Sequence, residues 1–506
     1  MIKKLIKIGM MACVIFFTAC TSKTEYTDAI PKNAAVVMGL ELDNMSQKAG
    51  LNGEDGKVMV GKLKNLLKGG LHGDAAQLAE RMIEHPSESG LSLEDKVYVF
   101  AMPHAEAWAV LAKVADEGKV ETMLKALEKE SIATSLRKES ECKWTQIGRI
   151  LCAFNNGTFL LLQPLKGDAL GMKGTLLSLM RQKEGDGFNA LPDFDKVKMD
   201  SQDIASIVNL SVMPYEWTTP LRMGVSANLR MEDIKYFLSA NFESGRVIVN
   251  SESLIQNQQI TSFFDVMDKV MLPIEGKYLD YFQGNTMCWV AGNMQGKELY
   301  DMLCQNPTIK QMLDNPILPV DVETLFSSVE GDFAIGYDNL KSGKYLLYAD
   351  VTNSSFLKMF EELRPLLALT GGQITLDCIE PDAYLMRTYY GDFWFGVKNN
   401  RLYVTNDRTW AEEIGRTYGA SLGRKTWANE VKENRVFMSV NLMELGSSYL
   451  PMTGNSTVDG AIQLMRNQCD YLNLSMSDWR HGKAELVLKD KDKNLLQWLV
   501  GMFNQF

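Results

Sequence analysis

The pattern closest to a catalytic motif is Gly419-Ala-Ser421-Leu-Gly423, which fits the G-x-S-x-G sequence around the nucleophile of serine hydrolases. Such a nucleophile needs a buried strand before it and a helix after it. Residues 409–418 instead have the apolar spacing of a helix, with Asp407 as its N-cap and Gly419 as its C-cap. A hydrolase based on Ser421 is therefore an alternative only, although triad partners follow in the required order: Asp459 or Asp470, then His481.

A second serine pattern, Ser355-Phe-Leu-Lys358, fits the S-x-x-K motif of serine acyl-enzymes. The segment Lys341-Ser342-Gly343 resembles the third motif of those enzymes, but it precedes the serine instead of following it far along the chain. An N-cap role for Ser354 or Ser355 on the next helix explains the same residues. The sequence therefore predicts no catalytic residue in this segment.

The four histidines form no metal-binding pattern. No two of them have the spacing of a metal site on a helix or hairpin, and the sequence lacks an H-E-x-x-H motif. His104-Ala-Glu106 could hold a metal on a strand, but exposed or hydrogen-bonded histidines are the simpler interpretation. Walker and Rossmann phosphate loops are also absent from the sequence. We therefore expect no metal and no cofactor. The histidines are His72, His85, His104 and His481.

Aromatic residues cluster in one predicted hairpin and suggest a different class of site. Exposed aromatic rings can form a platform for a sugar or a peptide. Alternating aromatic residues are also typical of the core of a sheet, so both interpretations stay open. The platform residues would be Tyr389, Tyr390, Phe393 and Trp394, with Phe395 next to them.

The first twenty residues predict export and attachment to a membrane. Lys3, Lys4 and Lys7 precede an apolar stretch, Ile8 to Phe17, that is shorter than the about 20 residues needed to cross a bilayer core. The ending Thr18-Ala19-Cys20 resembles the lipobox of bacterial lipoproteins. In that family the cysteine thiol receives a diacylglycerol, the preceding peptide is removed, and the new amine is acylated with a fatty acid such as palmitate. An uncleaved membrane helix and an ordinary cleaved signal peptide are the alternatives.

This pattern predicts a signal peptide at residues 1–19, then a lipidated Cys20 and polar tether at residues 20–29. The body would be held at the membrane by its acyl chains. Surface-displayed lipoproteins of the Bacteroidetes type carry a tight acidic cluster after the cysteine, whereas Glu25 and Asp28 are spread out here. We therefore expect an outer-membrane lipoprotein that faces the periplasm, with surface exposure as the alternative.

The composition indicates an ordinary globular body. The 506 residues are 46% hydrophobic and 23% charged, and the formal charge of −10 argues against nucleic acid as a partner. The scattered methionines predict core packing rather than a soft-metal site.

The cysteines beyond Cys20 have no CxxC or zinc-like spacing and are expected to be mostly buried thiols, with a Cys142–Cys152 disulfide as the alternative. Their disulfide state stays open: Cys142, Cys152, Cys288, Cys304, Cys378 and Cys469.

Four blocks of sequence recur in the same order later in the chain, which predicts an internal duplication. The first block is a strand-like segment followed by an amphipathic helix, and the second is a hairpin with Asn-Asn at its turn. Chance similarity between two strand-rich halves is the alternative. The pairs are Ala109–Val114 with Leu346–Val351, Cys152–Leu160 with Phe395–Tyr403, Ile207–Leu210 with Ser439–Leu442, and Asn228–Asp233 with Asn473–Asp478.

We therefore predict an α+β fold with two tandem related halves, each a mainly antiparallel sheet packed with helices. The first α+β repeat would span residues 30–274 and the second residues 275–506. Helices are expected at residues 58–83, with a break at Gly69-Gly70, and at the C-terminus from residue 495.

The start of the predicted mature domain also carries a family resemblance. Ile30-Pro31-Lys-Asn-Ala-Ala-Val-Val37, together with the lipobox and two related halves, resembles a Bacteroidetes lipoprotein family known only as domain of unknown function 4836. The resemblance covers nearly the whole mature chain and implies a cell-envelope lipoprotein. It implies no catalytic residues.

The sequence favours a non-catalytic binding or scaffold protein of the cell envelope. A carrier for a lipid or another apolar ligand, held between helices and a curved sheet, is one alternative. The Ser421 hydrolase is the other. The ligand, any protein partner and the oligomeric state stay open.

Overall fold

The computed structural model describes residues 25–212, 231, 234–255, 257–314, 320–339, 342–444, 463 and 466–504. Cys20, the predicted signal peptide and nearly all of block 228–233 lie outside these residues. The chain divides into two units, the first ending at Val208 and the second spanning Asn209–Met502. Each unit combines helices with antiparallel strands, which confirms the predicted α+β class. The predicted boundary between residues 274 and 275 lies inside the second unit.

The first unit is built on an antiparallel sheet. Its strands are β1 (Val36–Leu40), β2 (Val97–Met102), β3 (Ala107–Lys113), β4 (Arg137–Glu139), β5 (Cys142–Ile147), β6 (Ile150–Phe154), β7 (Thr158–Pro164) and β8 (Ile204–Asn209). They pair in the order β8–β1–β2–β3–β7–β6–β5–β4. Strand β1 is an uninterrupted apolar run because it is hydrogen-bonded on both sides and largely buried.

Helices of the first unit begin and end where the sequence supplies caps and breaks. They are α1 (Leu42–Lys48), α2 (Glu54–Gly70), α3 (Gly73–Glu84), α4 (Glu117–Lys129), α5 (Lys173–Met180) and α6 (Phe194–Met199). The Asp116 side chain caps α4 by accepting a 3.1 Å hydrogen bond from the Lys119 amide. The predicted break in the 58–83 helix is confirmed, since α2 ends at Gly70 and α3 starts at Gly73.

The described chain begins with a short 3₁₀ turn, Tyr26–Ala29, whose last three residues are buried in the first unit. The Tyr26 hydroxyl donates a 2.9 Å hydrogen bond to the Lys96 carbonyl. The predicted tether at residues 20–29 therefore overlaps a packed turn. Further 3₁₀ turns lie at Pro86–Ser89, Pro103–Ala105, Ala169–Met172, Phe188–Ala190, Leu210–Val212, Leu279–Tyr281, Ser355–Leu357, Leu422–Arg424 and Ala428–Glu433.

The second unit contains a longer antiparallel sheet. Its strands are β9 (Lys235–Glu243), β10 (Arg246–Ser253), β11 (Met271–Leu272), β12 (Cys288–Gln295), β13 (Val329–Tyr337), β14 (Tyr345–Val351), β15 (Thr375–Glu380), β16 (Ala383–Thr388), β17 (Gly391–Lys398), β18 (Arg401–Thr405), β19 (Val436–Asn441), β20 (Cys469–Met476) and β21 (His481–Leu488). They pair in the order β15–β16–β17–β18–β14–β13–β12–β19–β20–β21–β10–β9, and β11 pairs with one end of β12. The stretch from β19 to β15 follows the same order of connections as β8 to β4 in the first unit.

Helices α7 (Gln258–Val270), α8 (Gly296–Leu303), α9 (Pro307–Asp314), α10 (Val322–Ser328), α11 (Lys358–Ala368) and α12 (Arg408–Glu412) belong to the second unit. Helix α13 (Leu495–Phe503) lies near the C-terminus, where the sequence predicts a helix. Within the described ranges, no helix combines the length and the apolar character that crossing a bilayer requires.

One of the two predicted Asn-Asn turns has the expected backbone. Asn399 and Asn400 have φ of 54° and 56°, as a two-residue hairpin turn of type I′ requires, and they join β17 to β18. The turn from β6 to β7 is different, because the Asn155 side chain accepts hydrogen bonds from the amides of Gly157 and Thr158 at 3.0 and 2.8 Å. The two hairpins therefore share their position in the sheet but not their turn chemistry.

The helix predicted at residues 409–418 is wrong in length. The predicted cap is correct, since the Asp407 carboxylate accepts a 3.1 Å hydrogen bond from the Trp410 amide, but α12 ends at Glu412. Gly415 then adopts a left-handed φ of 87°, and its amide donates to the Tyr348 hydroxyl at 3.2 Å. This long-range contact turns the chain into a loop before Gly419, so Gly419 is not a helix C-cap.

Candidate functional site

Ser421 is buried and hydrogen-bonded to a carboxylate, which is not the setting of an exposed nucleophile. Ser421 is only 1% exposed, and its Oγ donates a 2.5 Å hydrogen bond to Oδ1 of Asp280. Residues 415–420 before it form a loop, and the residue pairs with Gln283 in an isolated β-bridge. The strand–turn–helix context of a nucleophile elbow is therefore replaced by a loop pinned to Asp280.

The other proposed members of a triad are engaged elsewhere. Nδ1 of His481 lies 2.9 Å from Oδ2 of Asp478, a local hydrogen-bonding contact at the start of β21. Asp470 pairs with Lys491 at 3.1 Å. Asp459 lies outside the described residues. His481 lines a different groove from the one beside Ser421, so the structure does not assemble the triad.

The S-x-x-K serine also has a local structural role. The Asn353 carboxamide oxygen accepts a 2.9 Å hydrogen bond from the Ser355 amide and also binds the Ser355 hydroxyl. The side chain of Ser354 makes no capping hydrogen bond, so the predicted serine cap is wrong and Asn353 supplies the turn. Lys341, from the accompanying motif, lies outside the described residues.

The histidine and acidic side chains do not converge on a metal site. In the described part of the chain, no group of three His, Cys, Asp or Glu side chains has a geometry that could hold a metal ion. His104 lies in the 3₁₀ turn Pro103–Ala105, and Glu106 pairs with Lys166 at 2.9 Å. The His104-Ala-Glu106 segment is therefore a turn between β2 and β3.

The aromatic platform residues divide into two groups. Tyr389 and Tyr390 form the tip of the β16–β17 hairpin, are 92% and 90% exposed, and meet edge to face with ring centroids 5.6 Å apart. Phe393 and Trp394 are half-buried in β17, whereas Phe395 is buried against Tyr384. The two tyrosines thus present an exposed pair of rings, and the remaining aromatics belong mainly to the sheet.

The cysteines are free thiols in the structure. Cys152 on β6 lies opposite Thr145 on β5, three positions along the strand from Cys142, so this register does not place the two sulfurs together. The suggested Cys142–Cys152 disulfide is therefore absent. Burial raises the pKa of Cys152 to about 12, and this thiol is a core side chain.

A groove of about 850 Å³ opens in the second unit beside Ser421, and we call it the Arg424 groove. Three stretches of chain form it: the turn before β12, the loop between α12 and β19, and the adjoining ends of β19 and β20. Its volume lies within the range of small-ligand sites. The lining includes Gln283, Asn285, Glu413, Arg416, Tyr418, Ser421, Arg424, Lys425, Asn441, Glu444 and Tyr471.

The loop that forms one wall of this groove is anchored in the core. Ile414, Leu422 and Trp427 are buried in a cluster that also contains Phe437, and the Trp427 and Phe437 rings stack with centroids 5.2 Å apart. At the rim, Asp280 binds the loop twice. Its carboxylate accepts from the Ser421 hydroxyl, and its backbone carbonyl accepts from the Tyr418 amide at 2.9 Å. These contacts hold the wall in one conformation.

The charged residues of the groove are only partly compensated. Arg416 forms an ion pair with Glu413 and lies over the Tyr418 ring, 5.4 Å from its centroid. Tyr418 donates a 3.1 Å hydrogen bond to Glu413, and its pKa is raised, mainly by burial, so the phenol stays a neutral donor. Lys425 donates to the hydroxyl of Tyr471, which is a neutral acceptor.

Two polar groups face the groove with binding capacity to spare. The exposed guanidinium of Arg424 has no hydrogen-bond or ion-pair partner among the described residues. Asn441 is only 6% exposed; its Oδ1 accepts from the Met443 amide at 3.1 Å, while Nδ2 has no partner in the same part of the structure. The groove therefore combines an unpaired cation with an amide donor that is open to solvent and available to a ligand acceptor.

Two other grooves of the second unit are also lined by charged residues. One, of about 560 Å³, lies on strands β9, β10, β20 and β21 and contains Glu430, His481 and Lys483. The other, of about 200 Å³, shares Gln283, Asn285 and Tyr418 with the Arg424 groove and adds Asp338 and Lys344. The Arg424 groove thus continues into a smaller polar recess.

Comparison with known proteins identifies the family. A family profile described as Domain of unknown function (DUF4836) matches residues 26–496. The chain belongs to this family. No curated protein matches it. Crystal forms I and III of a protein called TP0453 align with 49% and 50% of this chain and 86% and 89% of theirs, at 7% and 8% identity and TM-scores of 0.29 and 0.28. Those TM-scores are too low to support an argument about fold or function.

The polar residues of the groove in this DUF4836 chain were missed by motif analysis. Arg424 and Lys425 directly follow the G-x-S-x-G pattern, and Asn441 lies in a block that had been compared with Ile207–Leu210 only as a repeat. One signal in the sequence could have identified Asn441: its carboxamide side chain stands at the end of an apolar strand. Asn209 at the end of β8 accepts from the Ser211 amide just as Asn441 accepts from the Met443 amide, so the turn is shared.

Proposed function

We propose that the chain is a lipoprotein of the cell envelope whose second unit binds a ligand in the Arg424 groove without transforming it. The observation that carries the binding role is the presence in one groove of two polar groups, the Arg424 guanidinium and Nδ2 of Asn441, that have no partner among the described residues. A concave site of this volume with a few polar groups free to bind favours a small polar ligand.

The burial of Ser421 in the described structure supports a non-catalytic role. Ser421 is 1% exposed, and its hydroxyl donates to the Asp280 carboxylate. A serine hydrolase instead places a histidine beside the serine, and that imidazole carries the proton to the leaving group. Purified protein should show no ester, amide or glycoside hydrolysis that depends on Ser421. Turnover of chromogenic substrates that disappears in Ser421→Ala while folding is retained would overturn this part of the proposal.

The anchor is supported by the sequence of residues 1–20. The basic start, the apolar stretch and the small residues before Cys20 favour export, lipidation and attachment to the outer membrane of a Bacteroidetes cell, facing the periplasm. Cells grown with labelled palmitate should incorporate it into the wild-type chain and not into Cys20→Ala. Equal labelling of both proteins would refute the anchor and leave the groove untouched.

A carrier for lipid or another apolar ligand is a weaker explanation of the structure. Each of the three grooves described above has carboxylate and cationic side chains in its lining. An apolar ligand would desolvate those charges without replacing their hydrogen bonds. The polar grooves therefore favour a polar ligand.

We also propose that the two sheets arose by tandem duplication. The order of connections in β8–β1–β2–β3–β7–β6–β5–β4 recurs in β19–β12–β13–β14–β18–β17–β16–β15. Three recurring sequence blocks lie on corresponding strands of the two series, including Ala109–Val114 on β3 and Leu346–Val351 on β14. The test is to compare the paired blocks within other members of the family. If the two blocks of a pair do not resemble each other in those sequences, the duplication is refuted.

A further inference from the structure

We propose that the Arg424 groove binds an acidic saccharide, a sugar chain that carries carboxylate groups. This inference rests on the proposed binding function and specifies the ligand for the same groove. Three properties of the groove point to such a ligand: its unpaired arginine, its amide groups and its half-buried tyrosine rings.

The unpaired cations of the groove favour an anion. Glu413 neutralises Arg416, while Arg424 has no ion-pair partner in the described structure and Lys425 donates to the Tyr471 hydroxyl. Two further carboxylates lie beside the groove, those of exposed Glu444 and exposed Asp280, and neither forms an ion pair with Arg424. A planar guanidinium binds a carboxylate through two parallel hydrogen bonds, and such charge-assisted bonds are stronger than neutral ones.

The amides of the groove suit hydroxyl groups. Asn441 is mostly buried, but its Nδ2 is open to solvent and has no partner in the described residues, and exposed Gln283 and Asn285 place further carboxamides in the same lining. A carboxamide both donates and accepts, so it can bind a hydroxyl, which also does both. Several amides beside one cation therefore match a ligand that carries many hydroxyls and few charges.

The tyrosines add apolar surface at the two sides of the groove. Tyr418 and Tyr471 are half-buried, with Arg416 and Lys425 lying over their rings at 5.4 and 5.0 Å from the centroids. Aromatic rings provide apolar contact beside polar groups, as a sugar ring with its C–H face and hydroxyl rim requires. A carboxylate, hydroxyls and an apolar face occur together in a sugar acid. An acidic peptide offers carboxylates without the hydroxyls.

The test is calorimetric titration of the full chain, extracted in detergent, with a uronic-acid oligosaccharide. A neutral oligosaccharide of the same length and a peptide of glutamate residues serve as comparison ligands. Arg424→Gln removes the free cation at an exposed position, and Asn441→Leu removes the amide donor. Arg149→Gln is the matched control, because Arg149 is also an exposed arginine without a partner in the described structure, and it lies in the first unit.

We expect the uronic-acid oligosaccharide to bind, with affinity that falls as salt rises, and the neutral one to bind more weakly. Arg424→Gln should weaken binding about tenfold or more, as expected for loss of a charge-assisted pair, while Arg149→Gln leaves it unchanged. Equal binding of the neutral sugar, or no effect of Arg424→Gln, would overturn the inference. Binding of the peptide alone would also overturn it but would preserve the proposed binding function. Failure of every ligand tested would count against both.

Discussion

The Ser421 hydroxyl donates a 2.5 Å hydrogen bond to the Asp280 carboxylate, which joins two segments that are 141 residues apart in the chain. The same aspartate accepts the Tyr418 amide through its backbone carbonyl. Asp280 thus holds two nearby positions of the loop that forms a wall of the Arg424 groove. The serine that resembles a nucleophile is a structural residue of this wall.

Replacing Ser421 by alanine should destabilise the second unit. The change removes the hydrogen bond from buried Ser421 to the exposed Asp280 carboxylate, which water can still solvate, so the loss should cost about 0.5–1.5 kcal/mol. We expect a lower urea midpoint, followed by intrinsic fluorescence, together with weaker ligand binding. Ser477→Ala, at an exposed serine, is the control and should unfold like the wild type. An unchanged midpoint for Ser421→Ala would show that the bond to Asp280 contributes nothing to stability.

The two glycines of the G-x-S-x-G pattern should respond differently to alanine. A Cβ at Gly423 would collide with Oδ1 of Asp280 and crowd Oγ of Ser421, whereas a Cβ at Gly419 meets nothing within 4 Å. Gly423→Ala must displace the exposed Asp280 carboxylate and so weaken its hydrogen bond to Ser421, which should destabilise the protein by about 0.5–1.5 kcal/mol. Gly419→Ala should change stability by less than about 0.5 kcal/mol. Thermal unfolding of both variants measures this. Equal effects would contradict the described loop geometry.

Stability of the first unit should depend on Glu121 at low pH. Hydrogen bonds from Lys125 and Lys143 lower the pKa of Glu121 from 4.5 to about 2. A lowered pKa contributes stability above pH 4.5, and this contribution is lost as the pH falls from about 4.5 through about 2. Urea midpoints of the wild type should therefore exceed those of Glu121→Gln at pH 6 and converge with them near pH 2.

The control for that pH series is Glu94→Gln, which removes an exposed carboxylate that forms no ion pair in the described structure. Its urea midpoints should run parallel to those of the wild type across the same pH range. Because Glu121 lies near the surface, the difference at pH 6 is expected to stay within about 1 kcal/mol. A constant difference down to pH 2 would mean that Glu121 acts through packing and not through its charge.

Thiol reactivity should separate the cysteines of the body. Cys378 is exposed on β15, while Cys152 is buried and its pKa is raised to about 12. The thiolate is the reactive form, so a maleimide at pH 7 should label Cys378 quickly in the native protein and Cys152 only after unfolding. Peptide mapping after labelling locates the modified residues. Rapid native labelling of Cys152 would contradict its burial in the first unit.

The exposed tyrosine pair can be tested apart from the sheet beneath it. Tyr389 and Tyr390 are nearly fully exposed, so replacing both with alanine should change stability by less than about 0.5 kcal/mol. Phe395→Ala should cost about 3–5 kcal/mol because that ring is buried. If the pair is a ligand platform, the double tyrosine variant will lose sugar or peptide binding at normal stability. Unchanged binding would leave the pair without a binding role.

Local patterns were sufficient to predict several elements of the fold. The Asp407 cap, the break at Gly69-Gly70 and the Asn399-Asn400 turn depend on neighbouring residues, and each was predicted from sequence. Such features are set by backbone sterics and by hydrogen bonds over a few positions, which a sequence shows directly. The α+β class follows from them.

The Arg424 groove could not be predicted in this way, because its residues come from distant parts of the chain. Asp280 binds the Ser421 hydroxyl, and Tyr348 helps end the helix that the apolar spacing of residues 409–418 predicted. Arg424 and Asn441 line one groove only because the loop and the end of β19 meet. The sequence by itself determined local features such as caps and turns, and it predicts an export signal. Only the tertiary structure decided which polar groups of the described residues bind one another and which have no protein partner, since that depends on long-range contacts.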